Sequence, residues 1–207
     1  MAKIALKHKL EYYGLRALAA LIRRLPHEQA VIFGGRLGIL AGLLLKKRRL
    51  LTEDNLRRAY PEWDERKVRV TSWANFQQLG MGSVEMLRMD MLSCDPADIE
   101  QHFDLVDFKY LQEAVDLGRG VVALTGHFGF WEAGHYVVPV LGMQCDSVAK
   151  PLKNPLADEY FTNIRKAFGA RVINSRHGAR KIVKALQSGS VVAILLDQHI
   201  SPPGSVV

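Results

Sequence analysis

The chain has 207 residues, 48% of them hydrophobic and 24% charged, and this composition excludes a disordered, collagen-like or disulfide-stapled protein. The net charge of +7 arises in residues 1–50, where eleven Lys or Arg face two Glu, while the remaining residues are slightly acidic. Only two cysteines are present, Cys94 and Cys145, which suits a reducing compartment. We expect both to be small buried side chains.

The basic segment, residues 1–50, is predicted to form amphipathic helices that associate with a membrane. Its run Ala30–Leu45 is apolar apart from Arg36, but as a helix it would reach only about 24 Å, short of the roughly 30 Å hydrocarbon core. Basic residues beside apolar helical stretches are typical of a segment that lies on an anionic membrane surface. A solvated face of an ordinary helix explains the same pattern. No motif supports nucleic-acid binding, because such binding needs the charge spread over a groove-sized face.

The remaining residues, 51–207, are predicted to form an α/β domain. Two helices come first, Leu51–Tyr60 and Asp64–Leu92, and Gly80 and Gly82 are candidate breaks in the second. Short apolar runs then alternate with helical stretches, which indicates βαβ units and a mostly parallel sheet with flanking helices. The predicted strands are Phe103–Asp107, Val121–Leu124, Cys145–Ala149, Arg171–Asn174 and Val191–Leu196. The predicted helices between them are Tyr110–Asp116, one that starts near Trp131, Leu156–Phe168 and Ala179–Gln187.

Polar residues follow three of these strands at the point where each ends. His127 comes shortly after the strand Val121–Leu124, Lys150 directly after the strand that ends at Ala149, and Asp197 after the last strand, followed by His199. The carboxyl ends of parallel strands meet at one edge of a sheet, where ligand sites form. We therefore expect these side chains to border one site.

The segment with the most chemistry is Thr125–His135, in which His127 and Glu132 are five residues apart. On a helix they would point about 140° apart, so they meet only if a turn intervenes, for which Gly126 and Gly129 are suited. A histidine held by a carboxylate is a general base, and we expect a hydrogen bond of about 2.6–3.2 Å between them. No Ser or Cys nucleophile stands beside it, which favours direct transfer to a hydroxyl. The alternative is a core histidine without a catalytic role.

Metal binding is the rival interpretation of the same segment. The histidines lack the His-Glu-x-x-His spacing of zinc enzymes, and Glu132-x-x-His135 matches only one half of a di-iron motif. No metal or cofactor is predicted.

Gly126-His127-Phe128-Gly129-Phe130-Trp131-Glu132 resembles the His-x4-Glu motif of the lipid A biosynthesis acyltransferases, the lauroyl and myristoyl transferases of Gram-negative bacteria. Three more segments are similar, in the same order along the chain: 55–62, 150–156 and Leu196-Asp197-Gln198. The resemblance implies an enzyme on the cytoplasmic face of the bacterial inner membrane. It would move an acyl chain from a thioester, on acyl carrier protein or CoA, to a hydroxyl of a lipid A precursor.

The resemblance also implies roles for individual residues. His127 would deprotonate the acceptor hydroxyl and Glu132 would orient it. The expected substrate-binding residues are Lys150, Asp197, Gly129 and Trp131. Lys150 stands where the family usually has Arg, and it loses the planar fork that binds a phosphate or carboxylate through two hydrogen bonds.

Related chains usually continue for about another third beyond the segment Gly204–Val207, which we expect to begin another strand. The chain is therefore expected to lack the family's C-terminal part. This leaves two alternatives open beside the enzyme just described: an inactive membrane-associated relic or scaffold of the same fold, and an acyltransferase for another glycolipid, such as a glycosylated phosphoinositide, or for an amino-acid lipid.

Overall fold

The computed structural model describes residues 4–175 and 178–198. Its internal contacts divide the chain into two compact units, one made of Met1–Leu15 and Met89–Val207 and the other of Arg16–Arg88. Helix α1 (Leu6–Ile22) contributes its first part to the former and its last part to the latter. The division predicted at residue 50 follows charge rather than contacts, and it stays a prediction about function.

The unit Arg16–Arg88 is helical, and its framework is α2 (His27–Leu44), α3 (Lys46–Ala59) and α4 (Glu65–Met86). Asp64 caps α4 by accepting a hydrogen bond from the Lys67 backbone N–H, 2.7 Å away. The predicted second helix is therefore present but ends six residues earlier than expected. It is followed by a short 3₁₀ turn, Met89–Met91.

The predicted break of α4 at its glycines is wrong, because these residues serve helix packing instead. A Cβ on Gly80 would collide with the Gly34 carbonyl oxygen of α2 and would lie 2.8 Å from the Gly38 Cα. The absence of side chains lets the α2 and α4 backbones touch, and this pair has the most extensive helix–helix contact of the chain. A glycine that allows such an approach stays within a regular helix.

Each helix in residues 4–175 and 178–198, taken by itself, falls short of the length or the hydropathy that spanning a bilayer requires. The pair α2 and α3 passes that test of length and composition when taken together, but the two helices are bent by 95° where they meet.

The other unit is built around a four-stranded sheet, so the predicted α/β class is confirmed. The strands are β1 (Val121–Thr125), β2 (Cys145–Ala149), β3 (Arg171–Asn174) and β4 (Val191–Leu195), all parallel and in the order β1-β4-β2-β3. The helices are α5 (Lys109–Asp116), α6 (Gly134–Val140), α7 (Pro155–Lys166) and α8 (Ala179–Gln187). A core on one sheet face is centred on Ile173, Ala185 and Val192.

The predicted strand Phe103–Asp107 is wrong. These residues follow a 3₁₀ helix, Pro96–Gln101, and form turns, with Asp107 in the left-handed region at φ 55°. The Phe103 ring centroid lies 5.7 Å from that of Tyr136, whereas the Val106 side chain is exposed. The predicted helix near Trp131 begins as a 3₁₀ turn, Trp131–Ala133, that leads into α6.

The two cysteines differ in exposure, so the expectation that both are buried is wrong for one of them. Cys145 begins β2 and is buried, whereas Cys94 is exposed. Burial, with a contribution from Asp146, raises the pKa of the Cys145 thiol to about 11.

Candidate active site

His127 and Asp197 form the central contact at the carboxyl edge of the sheet. β1 and β4 are neighbours, so the residues that follow them meet. The Asp197 carboxylate accepts hydrogen bonds from the His127 backbone N–H at 2.7 Å and from its ring Nδ1 at 2.8 Å. The hydrogen bond from the His127 side chain is the largest cause that holds the pKa of Asp197 below its ordinary value.

This pairing determines which nitrogen of His127 is free. An ionised carboxylate only accepts hydrogen bonds, so Nδ1 carries a proton, and in the neutral imidazole the lone pair is then on Nε2. No hydrogen bond to Nε2 is formed by the residues that the structure describes, and the His127 side chain is 30% exposed. The imidazole can therefore take a proton from a group outside the fold.

Two glycines shape the turn that carries His127. The Gly126 Cα faces the Asp197 carboxylate, because a Cβ there would stand 3.3 Å from the carboxyl carbon. Gly129 has φ 55°, the left-handed region that glycine adopts without strain. The predicted turn is therefore present, and Asp197 occupies the place beside it.

Glu132 does not pair with His127, contrary to the predicted hydrogen bond. Its carboxylate is buried and accepts two hydrogen bonds from Arg165, from Nε at 2.9 Å and from Nη2 at 2.6 Å. His135 Nδ1 lies 3.0 Å from the same carboxylate. The reason is that the 3₁₀ turn Trp131–Ala133 directs Glu132 toward α7, whereas the loop before it carries His127 toward Asp197.

The electrostatics of Glu132 follow from these partners. Burial alone raises the pKa of this carboxyl, but hydrogen bonds and charge from Arg165, and then from His135, more than offset burial and bring the pKa to about 2. Glu132 is thus an ionised anchor at any physiological pH.

The other predicted residues are placed as follows. The Trp131 ring lies against the His127 ring, with centroids 5.2 Å apart and planes at 63°. Lys150 follows β2 at the same sheet edge and is exposed, but the structure records no contact between it and His127. His199 lies outside the described residues.

Sequence reasoning missed Arg165 and Ser147 as partners in this region. His135 Nε2 is 2.7 Å from the Ser147 Oγ, and Arg165 reaches Glu132 from α7. The three-residue spacing of Glu132 and His135 was a visible signal, whereas Arg165 is 33 residues away along the chain. Among the described residues, no group of three His, Cys, Asp or Glu could hold a metal ion.

Comparison with known proteins identifies the family. The family model for bacterial lipid A biosynthesis acyltransferases matches residues 3–207. The chain belongs to this family.

Three curated relatives illustrate the similarity of this lipid A acyltransferase family member to characterised proteins. The lauroyltransferase of Escherichia coli K12 is 28% identical over 97% of the chain, and its palmitoleoyltransferase is 28% identical over 96%. A lipid A biosynthesis acyltransferase of Haemophilus influenzae is 23% identical over 83% of the chain. The matched part covers only 64%, 63% and 54% of these relatives, respectively.

Proposed function

We propose that this chain transfers an acyl group from a thioester to a hydroxyl of a lipid A precursor, with His127 as the general base. The observation that carries the proposal is the double hydrogen bond from His127 to Asp197 at an exposed sheet edge, which places the lone pair of the neutral imidazole on Nε2. Family membership supports the reaction class. In this proposal Asp197, rather than Glu132, orients the base.

The reaction runs without a covalent enzyme intermediate. The acceptor hydroxyl oxygen attacks the thioester carbonyl carbon while its proton passes to Nε2 of His127. The carbon–sulfur bond then breaks, and the imidazolium returns the proton to the departing thiolate. Asp197 stabilises the imidazolium between these two steps, as the carboxylate does in a catalytic triad.

Apolar side chains beside the pair support an acyl substrate. Leu124 of β1, Phe128 in the turn and Leu196 after β4 are each more than 60% exposed. An acyl chain laid along them would gain about 0.8 kcal/mol per buried CH₂ group. Lys150, Gly129 and Trp131 border the same turn or sheet edge, and we propose that they contact substrate.

The test is an acyl-transfer assay with purified protein, a lipid A precursor and either acyl carrier protein or CoA as the acyl carrier. His127→Ala and Asp197→Asn should each lower turnover by about 10²–10⁴-fold, because the first removes the base and the second favours the wrong tautomer. His102→Ala, at an exposed histidine of the same unit, is the matched control and should retain activity. Full turnover in a folded His127→Ala variant would contradict the proposal. Absence of transfer by the unaltered chain with both carriers would favour the inactive scaffold.

We also propose that the chain works at the cytoplasmic surface of the inner membrane and binds it through the corner between α2 and α3. Leu43, Leu44 and Leu45 are 60%, 75% and 51% exposed there. The next three residues, Lys46, Lys47 and Arg48, are exposed, and within the described part of the chain no acidic side chain is recorded as their ion-pair partner. Apolar side chains beside unpaired cations suit insertion at an anionic lipid surface.

A vesicle-flotation assay tests this part of the proposal. Replacing Lys46 and Lys47 by Gln should lower affinity for anionic vesicles about 30-fold, from about 1 kcal/mol per cation, and added salt should weaken the binding of the unaltered protein. The control replaces Arg180 and Lys181, two exposed cations in the first turn of α8. Equal losses in both variants would mean that net charge, not the corner, binds the membrane.

A further inference from the structure

A chain of buried polar contacts runs behind the turn that carries His127. Ser147 on β2 contacts His135 on α6, His135 contacts Glu132, and Glu132 binds Arg165 on α7. Ser147, His135 and Glu132 are 4%, 9% and 8% exposed. Two helices, α6 and α7, therefore contact one carboxylate, and β2 is linked to it through His135.

Hydrogen bonds join Ser147 to His135 and His135 to Glu132. Glu132 is ionised and only accepts, so His135 Nδ1 carries a proton. It donates to the Glu132 backbone carbonyl at 3.1 Å and lies 3.0 Å from the Glu132 carboxylate. A hydrogen bond of 2.7 Å joins His135 Nε2 and the Ser147 Oγ. The Ser147 hydroxyl and both ring nitrogens of His135 therefore have hydrogen-bond partners, as buried polar atoms require.

The order Ser147, His135, Glu132 is that of a serine hydrolase triad, but burial excludes that chemistry. Ser147 lies in β2, an interior strand of the sheet, and its hydroxyl is covered by α6 through His135. A carbonyl carbon cannot reach a hydroxyl in that position. These contacts therefore serve to hold other residues in place.

What they position is the turn Trp131–Ala133. The preceding loop has one internal backbone hydrogen bond, from the Phe128 N–H to the Gly126 carbonyl. It is held at its start by Asp197 and at its end by Glu132. Trp131 directly precedes Glu132 and lies against the His127 ring.

We propose that Ser147 and His135 are positioning residues for His127, which act through Glu132 and Trp131. The His-x4-Glu spacing then has a physical reason, because the glutamate anchors the far end of the loop whose near end carries the base. The expected effect on kcat rests on the proposed function, whereas the expected effect on the position of Trp131 does not.

The experiment labels the chain with 5-fluorotryptophan and records the ¹⁹F resonance of Trp131, assigned with a Trp131→Phe variant. The other two tryptophans, Trp63 and Trp73, are internal references in the other unit. Ser147→Ala should move the Trp131 resonance and leave the reference resonances in place.

The matched control is Ser190→Ala. Ser190 is also fully buried in this sheet, and its hydroxyl donates to Asp146 at 2.6 Å, but it precedes β4 and so lies at the opposite sheet edge. Its loss should leave the Trp131 resonance unchanged. An unmoved resonance in Ser147→Ala, or an equal movement in Ser190→Ala, overturns the proposal.

A second pair of variants covers the case in which Ser147→Ala does not fold. Arg165→Lys keeps the charge on Glu132 but loses the planar fork, so it should move the Trp131 resonance. Arg171→Lys makes the same change beside the buried Asp146, to which Arg171 Nη2 donates at 2.6 Å. This variant should leave the Trp131 resonance in place. An unmoved resonance in folded Arg165→Lys also overturns the proposal.

Acyl-transfer kinetics supply the functional readout. In Ser147→Ala, kcat should fall about 10- to 100-fold with little change in KM, because a displaced base slows the reaction of bound substrate. Ser190→Ala should keep its kcat. An unaltered kcat in Ser147→Ala overturns the proposed role. If the unaltered chain transfers no acyl group while the resonances behave as expected, the proposed function fails and the positional inference stands.

Discussion

Replacing Glu132 by Gln removes the charge from a buried carboxylate that contacts both Arg165 and His135. The pKa of Glu132 stands at about 2, against an ordinary value of 4.5. A difference of this size corresponds to about 3 kcal/mol of folding free energy near neutral pH. This figure already includes the loss of the counter-ion of Arg165, which is among the causes of the low pKa. We therefore expect Glu132→Gln to be less stable by about 3 kcal/mol at pH 7.

The pH dependence of this loss has a definite sign. A carboxyl whose pKa is depressed in the folded state contributes stability above its unfolded pKa, and this contribution disappears as pH falls through the folded value. Between pH 4.5 and pH 2 the unaltered protein loses the contribution of Glu132. The Gln variant has no carboxyl to titrate in this pH range, so the difference in unfolding free energy between the two proteins should become smaller.

Urea unfolding near pH 7 and near pH 3 measures the difference in unfolding free energy between each variant and the unaltered protein. It is followed at the ¹⁹F resonance of Trp131 for Glu132→Gln and at that of Trp63 for the control, which lies in the other unit. The control is Glu65→Gln, which breaks a two-hydrogen-bond pair with Arg57 of similar length, 2.8 and 2.9 Å, at the surface. Water screens the control pair, so its loss should matter far less. A difference for Glu132→Gln that stays constant between the two pH values would refute the reasoning.

Two further predictions concern packing and the thiols. Gly80→Ala should destabilise the helical unit by about 3 kcal/mol or more in a thermal or urea melt, because its Cβ meets α2 backbone. An added Cβ at Gly14 would meet no atom within 4 Å outside its own stretch of helix, so Gly14→Ala should instead stabilise the protein by up to about 1 kcal/mol. Equal losses of stability in the two variants would contradict the packing argument. A thiol reagent at pH 8 should label Cys94 rapidly and Cys145 only on unfolding, because Cys145 is buried with a pKa of about 11. Rapid labelling that survives Cys94→Ser would show that Cys145 is reachable.

Much of the sheet could be predicted from the sequence because its signals are local. β2 (Cys145–Ala149) and β3 (Arg171–Asn174) have the predicted bounds, and α8 does as well. Short apolar runs mark the strands, and glycines with positive φ, Gly169 and Gly189, follow the helices that precede β3 and β4. Local alternation misled at Phe103, whose ring packs against other aromatic rings and not within a sheet.

For the site, the sequence determined at which edge of the sheet it lies but not which side chains pair there. Parallel strands leave their polar residues at one edge, and this alone predicted that His127 and Asp197 lie near each other. The partner of His127 was decided by the strand order, which sets β4 beside β1 although the paired residues are 70 positions apart. Arg165 of α7 likewise binds Glu132 from a distant position in the sequence, so Glu132 is not the partner of His127. The sequence thus determined which residues carry the chemistry, and the tertiary structure decided which carboxylate holds the base, because hydrogen bonds between distant segments depend on the neighbours that folding creates.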